Sequence, residues 1–226
     1  DALRIEVHAH QWWWEVRYPD QGDGGVTAFT TANEIHIPTG EEVHIDLTSE
    51  DVIHSLWVPQ LSGKMDLVPG KTNTMYLEAT EDGTYQGMCA EFCGLQHARM
   101  RFLVVAHPRA DFDAWAAAQA EPAGPPSEAD GADEGELLRG QQVFLGAACV
   151  YCHTIEGTSA SGTVGPDLTH LGSRATLAGG TIENTPANLA QWVANPPSIK
   201  PGTQMPPTSL SGDALNALLA YLESLE

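Results

Sequence analysis

The sequence predicts two domains of different class, mainly β and then all-α: a β-sandwich over residues 1–110 and a small helical domain over 135–226. Three observations carry that reading. Period-two alternation of apolar and polar residues, punctuated by Gly and Pro, runs from Ala2 to Ala106. An aperiodic acidic stretch follows, and helical spacing begins after it. At 226 residues the chain has room for two modest cores.

In the first half, "EEVHIDLTS" sets Val43, Ile45 and Leu47 against His44, Asp46 and Thr48, the period of a strand with one buried face. "KTNTMYLEA" and "RFLVVA" repeat it, and "DQGDGG", "PTG", "VPG" and "EDG" mark turns between strands. In "QWWWEVRYP" the same alternation puts Trp12, Trp14 and Tyr18 on one face and Trp13 on the other. Residues 111–134 read as a short helix and a linker, because "EPAGPPSEADGADEG" is rich in Pro, Gly, Ala and acid. Beyond it, "GELLRGQQVFLGAA" and "SGDALNALLAYLESL" have helical spacing, with Ser211 as N-cap of the second. "TPANLAQWVANP" is a shorter helix ended by Pro196 and Pro197.

A formal charge of −20 argues against nucleic acid, whose phosphates it would repel, and suits a basic protein partner. No stretch approaches the roughly 18 to 20 consecutive apolar residues of a membrane span, and a signal peptide is either absent or already removed. The chain opens directly on the strand-like "ALRIEVHAHQWWWEVRY", which implies a natural segment upstream.

Four cysteines could form two disulfides, but they fall as Cys89 with Cys93 and Cys149 with Cys152, each pair followed by a histidine. "CVYCH" is a C-x-x-C-H: Cys149 and Cys152 to bond haem vinyl groups, His153 to ligate the iron. A zinc knuckle or a redox C-x-x-C is the alternative. Downstream, "TVGPD" stands where class I cytochromes c carry a Pro, here Pro166, whose carbonyl accepts the proximal histidine proton. "KPGTQMP" offers Met205 as sixth ligand, or as a core methionine; His/Met ligation suits electron transfer. The resemblance to a bacterial class I cytochrome c covers Gly135 to Glu226. Trp192 is either a neighbour of a haem propionate or a plain core aromatic, and His170 reads as surface.

"CAEFCGLQHARM" gathers thiolate, imidazole and thioether, a soft set that favours copper over zinc. A mononuclear blue-copper site needs one Cys, and here there are two. Two thiolates can bridge two metals, and His54 in "SEDVIHSLWVP" supplies a second imidazole; a simple disulfide explains none of the other ligands.

The order His54, Cys89, Glu91, Cys93, His97, Met100 resembles the binuclear CuA domain of cytochrome c oxidase subunit II, over residues 1 to 110. The resemblance implies a cupredoxin-like Greek-key β-sandwich, with Cys89 and Cys93 bridging two coppers and His54 and His97 terminal. Met100 and the Glu91 carbonyl are then weak axial ligands, with the Glu91 side chain facing a Mg site shared with subunit I. Trp12 maps onto the family's entry point for electrons, an aromatic packing cluster being the alternative, and Asp66 onto an acidic residue near the subunit I boundary. His8, His36, His44 and His107 carry no ligand spacing.

Together the domains resemble subunit II of a caa3-type oxidase. That implies an electron relay from the covalent haem through CuA to subunit I, where oxygen is reduced to water, and not oxygen chemistry in this chain. Implied partners are subunit I and the other oxidase subunits, with a cytochrome c or quinol–cytochrome c reductase as donor. The implied location is the extracytoplasmic face of the bacterial cytoplasmic membrane, held there through N-terminal helices this sequence lacks. Nitrous oxide and nitric oxide reductases also carry CuA, and a copper-delivery protein is a third class; no propeller repeats precede the domain here.

Overall fold

The computed structural model describes residues 2–22, 25–127, 133–210 and 212–226. The chain divides into two compact units, one of residues 1–121 with 178–181, the other of 122–177 with 182–226.

Among the described residues the first unit has ten strands and one α-helix. The strands are β1 (Arg4–His10), β2 (Trp13–Tyr18), β3 (Phe29–Ala32), β4 (Glu34–Pro38) and β5 (Val43–Ser49), then β6 (His54–Trp57), β7 (Met65–Leu67), β8 (Asn73–Leu77), β9 (Gly83–Cys89) and β10 (Arg101–His107). They form two five-stranded sheets, ordered β3-β2-β1-β5-β8 and β4-β10-β9-β6-β7. Each sheet has one parallel pair, β1 with β5 and β10 with β4. The expected alternation is realised: Val43, Ile45 and Leu47 are buried, as are Met75 and Leu77 on β8 and Phe102, Val104 and Ala106 on β10. These side chains meet between the sheets in one apolar core, the cause of a period-two pattern. Helix α1 (Arg109–Gln119) closes one end by adding Phe112 and Ala116 to that core.

Trp14, Val16 and Tyr18 form the buried face of β2. Trp12 lies in the turn between β1 and β2, which begins at Trp13, and its half-buried ring packs against the same core. Trp13 faces outward and stacks on His10 with ring centroids 4.3 Å apart.

The second unit is mainly helical: α2 (Glu134–Gly146), a two-stranded β11 (Thr176–Leu177) and β12 (Ile182–Glu183), then α3 (Pro186–Ala194), α4 (Pro196–Ile199) and α5 (Asp213–Glu223). Asp133 caps α2 by accepting from the Gly135 N–H, and Thr185 caps α3 by accepting from that of Asn188. Pro196 and Pro197 do end α3, and they also start α4, whose first turn needs no amide from them. The expected Ser211 cap lies outside the described residues, as does the 128–132 stretch of the linker. Helices α2 and α5 cross at Gly140, where a Cβ would collide with the Ala217 carbonyl oxygen and lie 2.6 Å from Tyr221 Cβ. Among the described residues no helix is long and apolar enough to cross a membrane.

Candidate copper and haem sites

Strand pairing brings the first set of donors together. β6 opens on His54 and β9 closes on Cys89, and the two strands are neighbours with Leu56 opposite Cys89. The chain then leaves the sheet, carries Glu91 and Cys93 round a loop, forms a short 3₁₀ turn at His97–Arg99, and re-enters as β10 directly after Met100. Cys89, Cys93, His54 and Met100 are buried, and His97 is half-buried.

Cys89 Sγ lies 3.8 Å from His54 Nδ1, 3.8 Å from Cys93 Sγ and 3.2 Å from the Glu91 carbonyl oxygen. Cys93 Sγ lies 3.7 Å from His97 Nδ1 and 3.9 Å from Met100 Sδ. All four cysteines are free thiols. With metal–sulfur and metal–nitrogen bonds of about 2.3 and 2.0 Å, two ligands of one tetrahedral ion stand about 3.5–3.8 Å apart. The donor spacing therefore fits thiolates shared between metals with an imidazole on each side, and the soft donors fit copper.

The charge state of the Cys89 thiol agrees with that chemistry. The Cys93 thiol bonded to it, then His54 and the main chain at Ser55 and Glu91, outweigh burial and hold the Cys89 thiol down at about 3. Burial pulls the His54 imidazole down, but Cys89 and Asp51 together raise it above its ordinary value. The Asp51 carboxylate accepts the His54 Nε2 proton at 2.8 Å, which leaves Nδ1 as the donor atom facing sulfur. The Glu91 side chain is directed toward Lys64 Nζ, at 3.9 Å, while its carbonyl oxygen faces Cys89. Trp12 Nε1–H donates to the Cys93 carbonyl at 2.9 Å, so the ring stands directly against the ligand loop. Asp66 is half-buried on β7.

In the second unit Cys149 lies in a 3₁₀ turn (Ala148–Tyr151), Cys152 caps it, and His153 follows. His153 Nδ1 donates to the Pro166 carbonyl at 2.7 Å, which leaves Nε2 free to bind a metal. Burial, with Arg174 nearby, pushes the His153 pKa down and outweighs the Pro166 bond, so the ring is neutral as a ligand must be. Gly165 makes the close approach possible, since a Cβ there would lie 2.7 Å from His153 Cε1. Tyr151 and Val164, neighbours of the motif in sequence, are exposed apolar side chains, which suits a surface that a porphyrin would cover. Met205 and Trp192 are both half-buried, Met205 between α4 and α5.

His170 is a correction: it is buried, and its Nδ1 bonds the Glu226 carbonyl at 2.8 Å. Five more histidines lie outside the sulfur cluster, paired with other groups, among them His10, which bonds Glu15 at 3.1 Å. His36 Nδ1 and His107 Nε2 are 2.7 Å apart, and the His36 ring stacks on Trp115 at 3.9 Å. His8 bonds Glu50, and His44 packs edge-on against Tyr76. Sequence reasoning missed Asp51 and Gln11; only the place of Asp51 three residues before His54 signals a link.

Comparison with known proteins agrees in both halves. Residues 21–107 match the family model "Cytochrome C oxidase subunit II, periplasmic domain", and residues 137–226 match "Cytochrome c". Cytochrome c oxidase subunit 2 of Alkalihalophilus pseudofirmus is 40% identical over all of this chain and 62% of that protein. That of Bacillus sp. (strain PS3) is 35% identical over all of this chain and 63% of its own length. The chain thus spans a little over three fifths of these relatives. The crystal structure of the periplasmic domain of subunit II of cytochrome oxidase from Bradyrhizobium japonicum is 27% identical, covering 52% of this chain and 92% of that one with a TM-score of 0.48. With a subunit II model matching residues 21–107, a cytochrome c model matching residues 137–226, and relatives aligned along the whole of this chain, the chain is similar to cytochrome c oxidase subunit 2 throughout, with a cytochrome c-like stretch behind one like the subunit II periplasmic domain.

Proposed function

We propose that this chain is the electron-transfer subunit of a respiratory terminal oxidase, passing electrons from a covalently bound c-type haem through a binuclear copper centre to subunit I, which reduces oxygen to water. The spacing of 3.7–3.9 Å among His54, Cys89, Cys93, His97 and Met100 is the observation that carries this reading. Cys89 and Cys93 would hold two coppers, with His54, His97, Met100 and the Glu91 carbonyl as the further ligands. Cys149 and Cys152 would anchor a haem, and His153, oriented by Pro166, and Met205 would ligate its iron. When bound, the metals supply one-electron carriers; the protein supplies a cage that changes little between redox states, which keeps transfer fast at low driving force.

The domain boundaries we assign are 1–110 for the copper domain, 111–134 for the connection and 135–226 for the haem domain. Trp12, bonded to the Cys93 carbonyl, is the entry point for electrons from outside the copper site. The Glu91 carboxylate, directed away from the sulfurs, is available to a magnesium ion at the boundary with subunit I. The assembly places this chain on the extracytoplasmic side of the membrane, with a cytochrome c or quinol–cytochrome c reductase as electron source.

One preparation tests the reading. Reconstituted protein is expected to contain two coppers and one haem per chain and to show an EPR pattern of one electron shared by two coppers. One copper per chain, or no haem, would refute it.

A further inference from the structure

His54 and Cys93 lie on different segments, and the β1–β2 turn touches both. The Asp51 carboxylate accepts His54 Nε2–H at 2.8 Å and the Val52 N–H at 2.6 Å through Oδ1, and the Gln11 N–H at 2.6 Å through Oδ2. From the other side of the same residue, Gln11 Nε2 donates to the Cys93 carbonyl at 2.7 Å. Trp12 Nε1 donates to that oxygen too, which fills both its lone pairs. A continuous line of hydrogen bonds therefore runs His54–Asp51–Gln11–Cys93, from one imidazole to the main-chain carbonyl of the residue that carries the far thiol.

We propose that the Gln11–Trp12 turn is a strap that sets the distance between the His54 and Cys93 segments, with Asp51 and Gln11 as positioning residues for the copper pair. The inference rests on the copper reading above. Its physical need is local. Sheet pairing fixes Cys89 against β6 through Leu56, but Cys93 lies beyond the end of β9, where the ladder no longer constrains it. Two metals sharing both thiolates require the His54–Cys89–Cys93 geometry to hold within a few tenths of an ångström, and outer hydrogen bonds of this kind commonly govern metal affinity. Asp51 adds a second effect: its carboxylate fixes the proton of His54 on Nε2 and raises the donor strength of Nδ1.

The strap makes a prediction that two independent contacts do not. Asp51→Asn keeps an oxygen for His54 and Val52 but turns an NH₂ toward the Gln11 N–H, opening one end; Gln11→Ala opens the other. Copper affinity of the full chain, measured by competition against a chelator, is expected to fall about 10- to 100-fold in each single variant. The double variant is expected to lose no more than the worse single, because the same strap is already open. Asp51→Asn also raises the reduction potential of the loaded protein, since a negative charge beside the site is gone. Asp46→Asn removes the same charge from a carboxylate bonded to Arg4 and Thr74 on the outer sheet face, and is expected to move neither quantity. Should Gln11→Ala unfold the apo protein, Gln11→Asn shortens the same reach and is expected to show the same loss.

Single variants with wild-type affinity, or losses that multiply in the double variant, overturn the strap. A wild-type chain that fails to hold two coppers overturns the copper reading itself, and the two failures are read separately.

Discussion

Replacing Gly140 by Ala sets two opposing effects against each other at the α2–α5 crossing. A helix interior gains about 0.8–1.0 kcal/mol when Gly becomes Ala. Against this, the new methyl would meet the Ala217 carbonyl oxygen and stand 2.6 Å from Tyr221 Cβ, where carbon atoms normally rest about 3.5–4.0 Å apart. One obstacle is helix backbone, so a rotamer change gives no relief and α2 must move off α5 by about an ångström. That loosens Leu137 and Phe144, buried on α2, and Leu218, Tyr221 and Leu222, buried on α5. Overpacking of this kind costs about 1–3 kcal/mol, more when backbone is the obstacle. The clash wins, with an expected net loss of about 1–2 kcal/mol, or roughly 4–15 °C of melting temperature for a domain of this size. Thermal unfolding followed at the haem absorption bands reads this unit alone. Gly146→Ala, at the end of the same helix with nothing within 4 Å, is the control and is expected to be neutral or slightly stabilising. A Gly140→Ala protein as stable as wild type would refute the close crossing.

Cys93→Ser is expected to abolish the shared-electron EPR signal while leaving the haem spectrum intact; loss of both would show that the two sites are not separable. Glu15→Gln tests acid stability. Burial pushes this carboxyl up, but bonds from His10 and Arg17 outweigh it and hold it at about 2, below its ordinary 4.5. A depressed carboxylate stabilises the fold above pH 4.5, and that contribution drains away as pH falls toward 2, so the variant should lose about 1–3 kcal/mol at pH 7 and show a flatter acid-unfolding profile between those limits. An unchanged profile would remove Glu15 as the cause. Tyr18→Phe deletes a buried hydroxyl that donates to the His36 carbonyl and accepts from the His36 N–H, at 2.8 Å each. Urea denaturation is expected to show a loss of about 1–3 kcal/mol from the orphaned main-chain groups, with copper content unchanged.

The buried strand faces were legible because they depend on local alternation: Val43, Ile45 and Leu47 announce themselves whatever they pack against. The cluster of His54, Cys89, Cys93 and His97 was legible for a different reason, since such a motif restricts residue type and spacing together. What escaped depends on distant main chain. His170 carries nothing local to mark it as buried, and the Glu226 carbonyl that bonds it comes from the far end of the sequence. Trp12 lies one residue ahead of β2, so strand alternation does not place it, and its ring meets the core from the turn instead. Asp51 and Gln11 meet across forty positions of sequence, out of reach of any local pattern.

The placement of His54 on β6 and Cys89 on β9 also sets an order of events during folding. β7 and β8 intervene, so β6 and β9 must pair across 35 positions of sequence before imidazole and thiol become neighbours. Contacts this far apart in sequence are late ones. An unfolded chain offers copper only scattered ligands, whereas the closed sandwich offers all of them at once, so metal capture amounts to a vote for the folded state. Chelator sensitivity of the melting curve of the first unit then measures how much of its stability the copper holds in place.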